Sequence, residues 1–378
     1  MSSSTALPAS PASQRVRAID WLRGIAVLFM IQCHALSLLL PELRKTAVTG
    51  WLLKVDGLVA PAFIFSAGFA LALLNVRSAV GGSQQTRLGR NLRRIAEVLA
   101  VATLVNWMWF PLFRQPRWLI RLDILHCVGL CLLLVLPALA GLARRPKVLA
   151  GLCLVLGLGV FAVSPLGESV RGPWAYVLNK STEAVFPLLP WLGFAWLGAF
   201  AGTVAGAWGR AGLVKALGLL LVLGIAGTLA ADALYALYPP HKFFVTNPSN
   251  QAARLSWLCV ALLALLQVEA WLSARPVAGP PSRVRRFIET FGTASLSAYF
   301  FHEGLLFFRT FGFSFERFWG NRSGWAQYTV LTVALIALTY GLCLAVDPAE
   351  RALKKGLAGA MEWLRRRAGA PDDARAAG

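Results

Sequence analysis

Charged side chains are scarce in this 378-residue chain. Asp, Glu, Lys and Arg together make up 14% of the residues, 57% are hydrophobic, and the mean hydropathy is +0.62. About a quarter of the residues of a soluble globular domain are charged, so the composition excludes that class. It predicts a polytopic membrane protein that is surrounded by a lipid bilayer.

Acidic residues are the scarcer of the two charged kinds. The chain has 17 Asp and Glu against 37 Lys and Arg, which gives a net charge of +20. The basic residues cluster between the apolar runs, as the positive-inside rule of membrane proteins requires. A nucleic-acid-binding protein would instead carry a basic face on a soluble domain of recognisable fold. The sequence predicts no such domain, so we expect no nucleic-acid partner.

Several motifs that carry chemistry in other proteins are missing. The six cysteines lie in apolar segments without a Cys-x-x-Cys pair, which is typical of small buried side chains rather than of disulfides. There is no Gly-x-Ser-x-Gly nucleophile elbow and no Walker-type phosphate-binding loop. Histidine occurs only four times, and never at the spacing that places two metal ligands on one helix. We therefore expect no metal.

What the sequence does contain is a series of apolar runs of about 20 residues, the length that crosses a bilayer as a helix. Short connections join these runs and leave no room for a separate soluble domain. We predict an all-α integral membrane protein with about ten transmembrane helices in one bundle. The runs cover residues 20–40, 51–74, 94–113, 120–143, 147–165, 184–208, 214–238, 253–273, 287–309 and 325–346.

The distribution of lysine and arginine predicts the orientation in the membrane. With the N-terminus in the cytoplasm, most of these residues fall on cytoplasmic connections, so we expect both termini to be cytoplasmic. Residues 1–14 are rich in Ser, Ala and Pro and are predicted to be a disordered tail. Residues 15–347 form the transmembrane domain. Residues 348–378 are predicted to be a basic cytoplasmic tail, which is in part an amphipathic helix.

The first apolar helix carries three ionisable side chains, Asp20, Arg23 and His34. At ~100° per residue Arg23 lies ~20° and Asp20 ~40° from His34 around the helix axis, and the three side chains therefore form one polar stripe. Ionisable groups in a bilayer normally face the bundle interior or a wet cavity. For this helix alone, an Asp20–Arg23 pair with a hydrogen-bonded core histidine explains the stripe as well as a functional site does.

The predicted topology places further polar residues at the depth of His34, in the outer half of the membrane. Each of them alone is more simply a satisfied core group or a surface side chain. Together, on separate helices at matching depth, they favour a shared polar cavity. The residues of this layer are His126, His302, Asp56, Asp123, Asp232 and Glu303.

A run of four arginines enters the third predicted span on the cytoplasmic side, near the depth of Arg23. Such a run is often only a positive-inside anchor. Its functional interpretation is a binding site for an anionic cofactor, because the guanidinium fork matches phosphate geometry. The residues are Arg87, Arg90, Arg93 and Arg94.

Five segments, taken in order, resemble one family of membrane proteins. The opening Arg17-Ala-Ile-Asp20-Trp-Leu-Arg23-Gly with His34 is similar to the first span of membrane acyltransferases, and the run 56–68 is similar to their second span. Three further segments resemble the bacterial relatives of heparan-alpha-glucosaminide N-acetyltransferase. They are Asp123-Ile-Leu-His126-Cys-Val-Gly, Phe186-Pro-Leu-Leu-Pro-Trp-Leu-Gly and Ser295-Leu-Ser-Ala-Tyr-Phe-Phe-His302. The broader acyltransferase-three family shares the first-span pattern and is the nearest competing assignment.

The resemblance implies an acyltransferase that takes acetyl-CoA (acyl-CoA) from the cytoplasm and acylates a glycan or lipid-linked sugar in the inner membrane of a bacterium. The catalytic histidine of the family corresponds to His34, as general base or as nucleophile. Under this hypothesis Arg23 and the arginine run hold the CoA phosphates.

The other polar residues of the layer receive supporting roles in the same hypothesis. Asp56 or Asp123 would orient the His34 ring, as carboxylates do in triads. His126 and His302 would bind the acceptor or stabilise the thioester oxyanion.

The competing function class is a non-enzymatic transporter of a glycan or lipid-linked substrate, with the histidines as a proton relay. Transporters often contain internal repeats, and residues 15–190 show no correspondence with residues 191–346. A scaffolding subunit is a third class, and it would need no aligned histidines. The sequence leaves open the acceptor, the acyl chain, O- or N-acylation, direct transfer or an acyl-enzyme, and a homodimer.

Overall fold

The chain is almost wholly helical and has no β-strand in the part that the computed structural model describes, which confirms the predicted all-α class. The predicted disordered tail, residues 1–14, and the end of the predicted C-terminal tail, residues 368–378, lie outside the described residues. The structure describes residues 15–80, 84–113, 120–180, 184–274, 282–308 and 312–367.

Long helices dominate, because a chain in lipid must satisfy its backbone polar groups within each segment. Fifteen α-helices occur in the described ranges. In chain order they are α1 (Arg17–Ala35), α2 (Ala47–Asp56), α3 (Val59–Val80), α4 (Gln84–Phe113), α5 (Ile124–Leu142), α6 (Pro146–Gly167), α7 (Pro173–Leu178), α8 (Leu188–Leu229), α9 (Ala231–Ala236), α10 (Phe243–Thr246), α11 (Pro248–Ser273), α12 (Arg283–Thr293), α13 (Ser295–Phe307), α14 (Phe315–Trp319) and α15 (Trp325–Arg367).

Seven helical segments of the described chain are long and apolar enough to cross a membrane, which establishes a multi-pass membrane protein. The sequence predicts about ten, and that count stays a prediction. The segments are Arg17–Leu38, Ala47–Ala79, Ile124–Leu142, Pro146–Gly167, Leu188–Leu229, Pro248–Ser273 and Trp325–Val346.

Helix α8 accounts for part of the difference, because it covers two of the predicted spans. Its 42 residues would measure ~63 Å as one straight helix, about twice the ~30 Å hydrocarbon core. Gly209 interrupts it with φ 65° and ψ −155°, a conformation that is essentially restricted to glycine. The break lies between the predicted spans 184–208 and 214–238.

The predicted span 287–309 is not one continuous helix. The structure divides it into α12 and α13 at Ala294, whose φ of −97° and ψ of 25° are non-helical. In the preceding turn the Thr293 hydroxyl donates to the Glu289 carbonyl at 2.9 Å and to the Thr290 carbonyl at 3.1 Å. Such side-chain bonds compete with helix continuation.

Two glycines let α12 lie directly against α1. A Cβ atom on Gly24 would come within 2.1 Å of the Ile288 carbonyl oxygen, and one on Gly292 within 2.0 Å of the Asp20 carbonyl oxygen. Small residues permit this backbone approach between membrane helices. The contact fixes α13, which follows α12, beside the C-terminal half of α1.

The same kind of contact joins α3 to α8. A Cβ atom on Gly198 would meet the Phe65 carbonyl oxygen at 2.0 Å, and one on Gly202 would meet that of Phe69 at 2.2 Å. The side chains of Phe65 and Phe69 are themselves fully buried in the core. Helices α3 and α8 therefore form a rigid wall next to α1.

Helix α15 continues without a break to Arg367, so residues 348–367, in the predicted C-terminal tail, are helical.

Candidate functional site

A cavity of about 1420 Å³ lies between α1, α2, α3, α4, α5, α12, α13 and α15. One part of its lining is basic and the other contains a histidine and three carboxylates. The basic part includes Arg23 on α1, and the other part includes His34 on the same helix. These two residues are separated by ~16 Å along the helix axis.

A cluster of three side chains forms the core of the second part. His34 comes from the last turn of α1, and His302 and Glu303 are neighbours on α13. The His34 Nδ1 atom lies 2.8 Å from His302 Nε2 and 2.8 Å from Glu303 Oε1. The two imidazole rings meet edge to edge through these nitrogens, with planes 22° apart and centroids 5.0 Å apart. The sequence places His34 and His302 at one depth, and the structure brings them into contact.

The hydrogen bonds of the cluster determine where its protons lie. His302 Nδ1 is 2.9 Å from the Ala298 carbonyl oxygen, which can only accept, so this nitrogen carries the hydrogen. In a neutral ring His302 Nε2 is then an acceptor. Because Glu303 also accepts, the hydrogen between these groups belongs to His34 Nδ1. In a neutral His34 ring, Nε2 is then left with a lone pair.

Burial differs within the cluster in a way that separates the roles of its members. His302 is 0% exposed and does not line the cavity, and Glu303 lines the cavity but is only 4% exposed. The His34 side chain is 34% exposed and lines the cavity. His34 is therefore the member that a substrate can reach.

Glu303 is the carboxylate that contacts His34. The sequence predicts it in the polar layer, but it gives the orienting role to Asp56 or Asp123. The structure shows that the carboxylate in contact with His34 is Glu303. The sequence signal was its position directly after His302, on the helix that packs beside α1.

Asp123 and Asp56 line the same cavity without a hydrogen bond to His34. Asp123 caps α5 by accepting from the Ile124 amide at 2.7 Å, and it accepts from the Tyr299 hydroxyl at 3.3 Å. Asp56 ends α2 and is buried. Its carboxylate has no hydrogen-bond partner among the described residues.

His126 and Asp232 do not join the cluster. His126 lies on the first turn of α5 but does not line the cavity, and its buried Nδ1 has no hydrogen-bond partner within the described ranges. Asp232 is exposed on the short helix α9, beyond the end of α8, and it does not line the cavity. Equal depth along the membrane does not fix which way a side chain points.

All five arginines that were predicted to bind the cofactor line the basic part of the cavity. Arg286 on α12 joins them, and the sequence analysis did not single it out. Arg93 is partly compensated by an ion pair with Glu97 at 3.0 Å. The five predicted residues are Arg23, Arg87, Arg90, Arg93 and Arg94.

The positive charges of this group act on one another. Burial and then the neighbouring charges of Arg90 and Arg94 lower the pKa of the Arg87 guanidinium. Repulsion of this kind is relieved when an anion binds, because arginine pairs with phosphate through charge-assisted hydrogen bonds.

Arg23 has a different partner from the expected one. Its Nη2 atom donates to the Ser295 hydroxyl at 2.6 Å, at the start of α13. Asp20, the expected partner, forms its ion pair with Arg15 at 2.5 Å. The Arg23 bond joins α1 to α13 at the basic part of the cavity.

The cluster also has the donor set of a metal centre. The ligand atoms of His34, His302 and Glu303 all lie within 4.8 Å of one another. The sequence predicts no metal, because no single helix carries two histidine or carboxylate ligands at the spacing of a metal site. Here the ligands converge from α1 and α13.

A family model described as heparan-alpha-glucosaminide N-acetyltransferase, catalytic, matches residues 15–228, more than half of the chain. The match includes α1 with His34 and the arginines of α4, and it ends before α13. No curated protein matches the sequence.

Proposed function

We propose that this chain, which belongs to the heparan-alpha-glucosaminide N-acetyltransferase catalytic family, transfers an acetyl group from acetyl-CoA to a glycan or lipid-linked sugar. The family is one of membrane acetyltransferases, and the seven apolar helices agree with that setting. The donor, the acceptor and the role of the histidine are the proposed part.

One observation carries the proposal: a single cavity is lined both by the arginine group and by His34. Coenzyme A has phosphates at one end and a thiol at the other, joined by a long flexible arm. The arginines provide guanidinium donors for the phosphates. The separation of Arg23 and His34, ~16 Å along α1, leaves room for the arm to extend from the phosphates to the reaction centre.

His34 acts as general base in this proposal. Its Nε2 lone pair takes the proton of the acceptor hydroxyl or amine while the acceptor oxygen or nitrogen attacks the thioester carbonyl carbon. A new ester or amide bond forms, the carbon–sulfur bond breaks, and the proton passes to the CoA sulfur. A positioned base of this kind contributes typically ~10²–10⁴-fold to the rate.

Glu303 and His302 position His34. Glu303 accepts from His34 Nδ1 and stabilises the imidazolium that forms when Nε2 takes a proton, as the acid of a triad does. His302 is held by its bond to the Ala298 carbonyl, and both of its nitrogens are occupied. We therefore assign it to positioning rather than to the acceptor or oxyanion binding that the sequence suggested.

We further propose ten spans with both termini in the cytoplasm of a bacterium, the protein lying in its inner membrane. Contacts between connecting segments support this topology, because each contact joins two segments that the topology places on the same side of the membrane. Predicted inner contacts link Arg17 and Arg210 to Glu269. Predicted outer contacts are the backbone bonds from Leu40 to Ser323 and from Val185 to Leu122, and those of Lys242 and Thr246 with Glu168.

The test is release of free CoA from acetyl-CoA by the purified protein, in detergent, with a mixture of envelope glycans as acceptor. We expect turnover by the wild type and a loss of at least ~100-fold in His34→Gln. His241→Gln is the matched control, since His241 lies in an outer connection away from the cavity. Equal turnover in His34→Gln and wild type would overturn the assignment of His34. A transporter would give no turnover at all.

A further inference from the structure

The three-residue cluster of His34, His302 and Glu303 brings together two imidazoles and one carboxylate. The three donor atoms are separated by 2.8 Å (His34 Nδ1 to His302 Nε2), 2.8 Å (His34 Nδ1 to Glu303 Oε1) and 3.5 Å (His302 Nε2 to Glu303 Oε1). Two histidines and a glutamate are a common set of protein ligands for Zn²⁺, with a fourth position left open.

The orientation of His302 matches that of a metal ligand. A metal-binding histidine almost always donates its other ring N–H to a carbonyl or carboxylate, which fixes the tautomer. His302 does this through Nδ1 and the Ala298 carbonyl, and its Nε2 lone pair points at the other two donors. The ring is fully buried on α13, so this orientation does not depend on solvent.

The distances are close to those of a tetrahedral ion. Bonds of ~2.0–2.1 Å at tetrahedral angles separate two ligand atoms by ~3.3 Å. The Nε2–Oε1 distance of 3.5 Å already fits, and the two distances from His34 need to lengthen by about half an ångström. His34 is the partly exposed member, and it can move without disturbing α13. The open position then faces the cavity, where water can occupy it.

We propose that His34, His302 and Glu303 form a Zn²⁺-binding site and that the ion inhibits the enzyme. The ion takes the place of the hydrogen on His34 Nδ1. In the neutral His34 ring that hydrogen moves to Nε2, so the ring keeps one N–H hydrogen. His34 Nε2 then has no lone pair with which to act as a base. The inhibition rests on the proposed function, whereas the binding does not.

The chemistry of the site also predicts its selectivity. Imidazole nitrogens suit Zn²⁺, whereas Mg²⁺ and Ca²⁺ prefer oxygen ligands. Nearby negative charge favours a cation, since Asp56 and Asp123 line the same cavity.

The binding test is equilibrium dialysis of the purified, metal-free protein against ZnCl₂ alone. We expect one ion bound per chain, and at least tenfold weaker binding in His302→Gln and Glu303→Gln. His241→Gln is the control and should bind as the wild type does. A hundredfold excess of Mg²⁺ should not compete. Size-exclusion chromatography of every variant verifies the fold, and Glu303→Gln serves if His302→Gln does not fold.

The inhibition test is the initial rate of acetyl transfer at increasing ZnCl₂. We expect the rate to fall at least tenfold on saturation and to recover on addition of EDTA. No Zn²⁺ binding, binding that the cluster variants leave unchanged, or binding without inhibition of an active enzyme would each overturn the proposal.

The two tests separate this inference from the proposed function. A protein that transfers acetyl groups in a His34-dependent way but binds no Zn²⁺ refutes the metal site alone. A protein that binds Zn²⁺ through the cluster but shows no transfer under any condition refutes the proposed enzyme and its inhibition, and leaves the ion site standing.

Discussion

At the scale of the residue, the site depends on a hydrogen bond that the sequence did not assign. His34 was found from its position on the polar stripe of the first helix, and the arginines were found from their spacing. The contact of Glu303 with His34 was not predicted, because adjacency to His302 on one helix does not say which side chain turns toward α1. His126 was a candidate because of its depth, and only the fold shows that it does not line the cavity.

Replacing Glu303 by Gln tests the positioning of His34. The amide has the same size but carries no charge, so it cannot stabilise the His34 imidazolium. We expect kcat to fall by about 100-fold, within the range of general-base effects. The measurement is steady-state release of CoA.

Glu42→Gln is the control for this substitution, because Glu42 is exposed in the connection between α1 and α2 and does not line the cavity. Its kcat should equal that of the wild type. A Glu303→Gln protein with wild-type kcat would refute the role of Glu303.

Replacing Arg87 by Gln tests the phosphate site. One charge-assisted hydrogen bond contributes about 1.5–3 kcal/mol, and Arg87 is only partly buried. We expect the KM for acetyl-CoA to rise about tenfold with little change in kcat. Arg283→Gln, an exposed arginine on α12 outside the cavity lining, should leave the KM unchanged. An equal rise in both variants would indicate a general charge effect instead of a site.

At the scale of the element, the apolar runs predicted where the helices lie, and the predicted spans fall on helices in the structure. The hydrophobic pattern did not predict two features of these helices. The runs 184–208 and 214–238 are consecutive parts of α8 with a break at Gly209, and the run 287–309 is broken at Ala294. Breaks of this kind depend on contacts with other helices, such as that of Gly292 with α1.

Replacing Gly292 by Ala tests the contact between α1 and α12. The new Cβ atom would lie 2.0 Å from the Asp20 carbonyl oxygen, so the helices must separate. Overpacking of this kind costs about 1–3 kcal/mol. We expect a lower thermal unfolding temperature in detergent, and lower activity because α13 shifts away from His34.

Gly341→Ala in α15 is the control for this helix contact, since nothing lies within 4 Å of its Cβ position. Alanine favours a helix by ~1 kcal/mol over glycine, so its unfolding temperature should be unchanged or higher. Equal stability of Gly292→Ala and wild type would contradict the tight contact.

At the scale of the whole molecule, composition and hydrophobic run length predicted the membrane class. The cavity could not be predicted in this way, because it forms where eight helices meet, and hydropathy does not fix their arrangement. Depth in the membrane was a partial substitute: it selected His34, His302 and Glu303 correctly as neighbours, but it also selected Asp232, which does not line the cavity.

The proposed topology predicts from which side of the membrane a reagent can label each connection. A cysteine at Lys242 should react with an impermeant maleimide added to intact cells, whereas one at Arg145 should react only after the membrane is opened. These positions lie on opposite sides of a ten-span bundle with a cytoplasmic N-terminus. Labelling of Arg145→Cys in intact cells would contradict that orientation. A variant in which the six native cysteines are replaced removes their background.

The most direct test of acetyl transfer is mass spectrometry of envelope glycans from three strains. One carries the wild-type gene, one lacks the gene, and one carries His34→Gln at the wild-type level of protein. We predict an acetylated glycan in the first strain and its loss from both others. Identical glycans in all three strains would contradict acetyl transfer to a glycan. Loss without the gene but not in His34→Gln would contradict the role of His34.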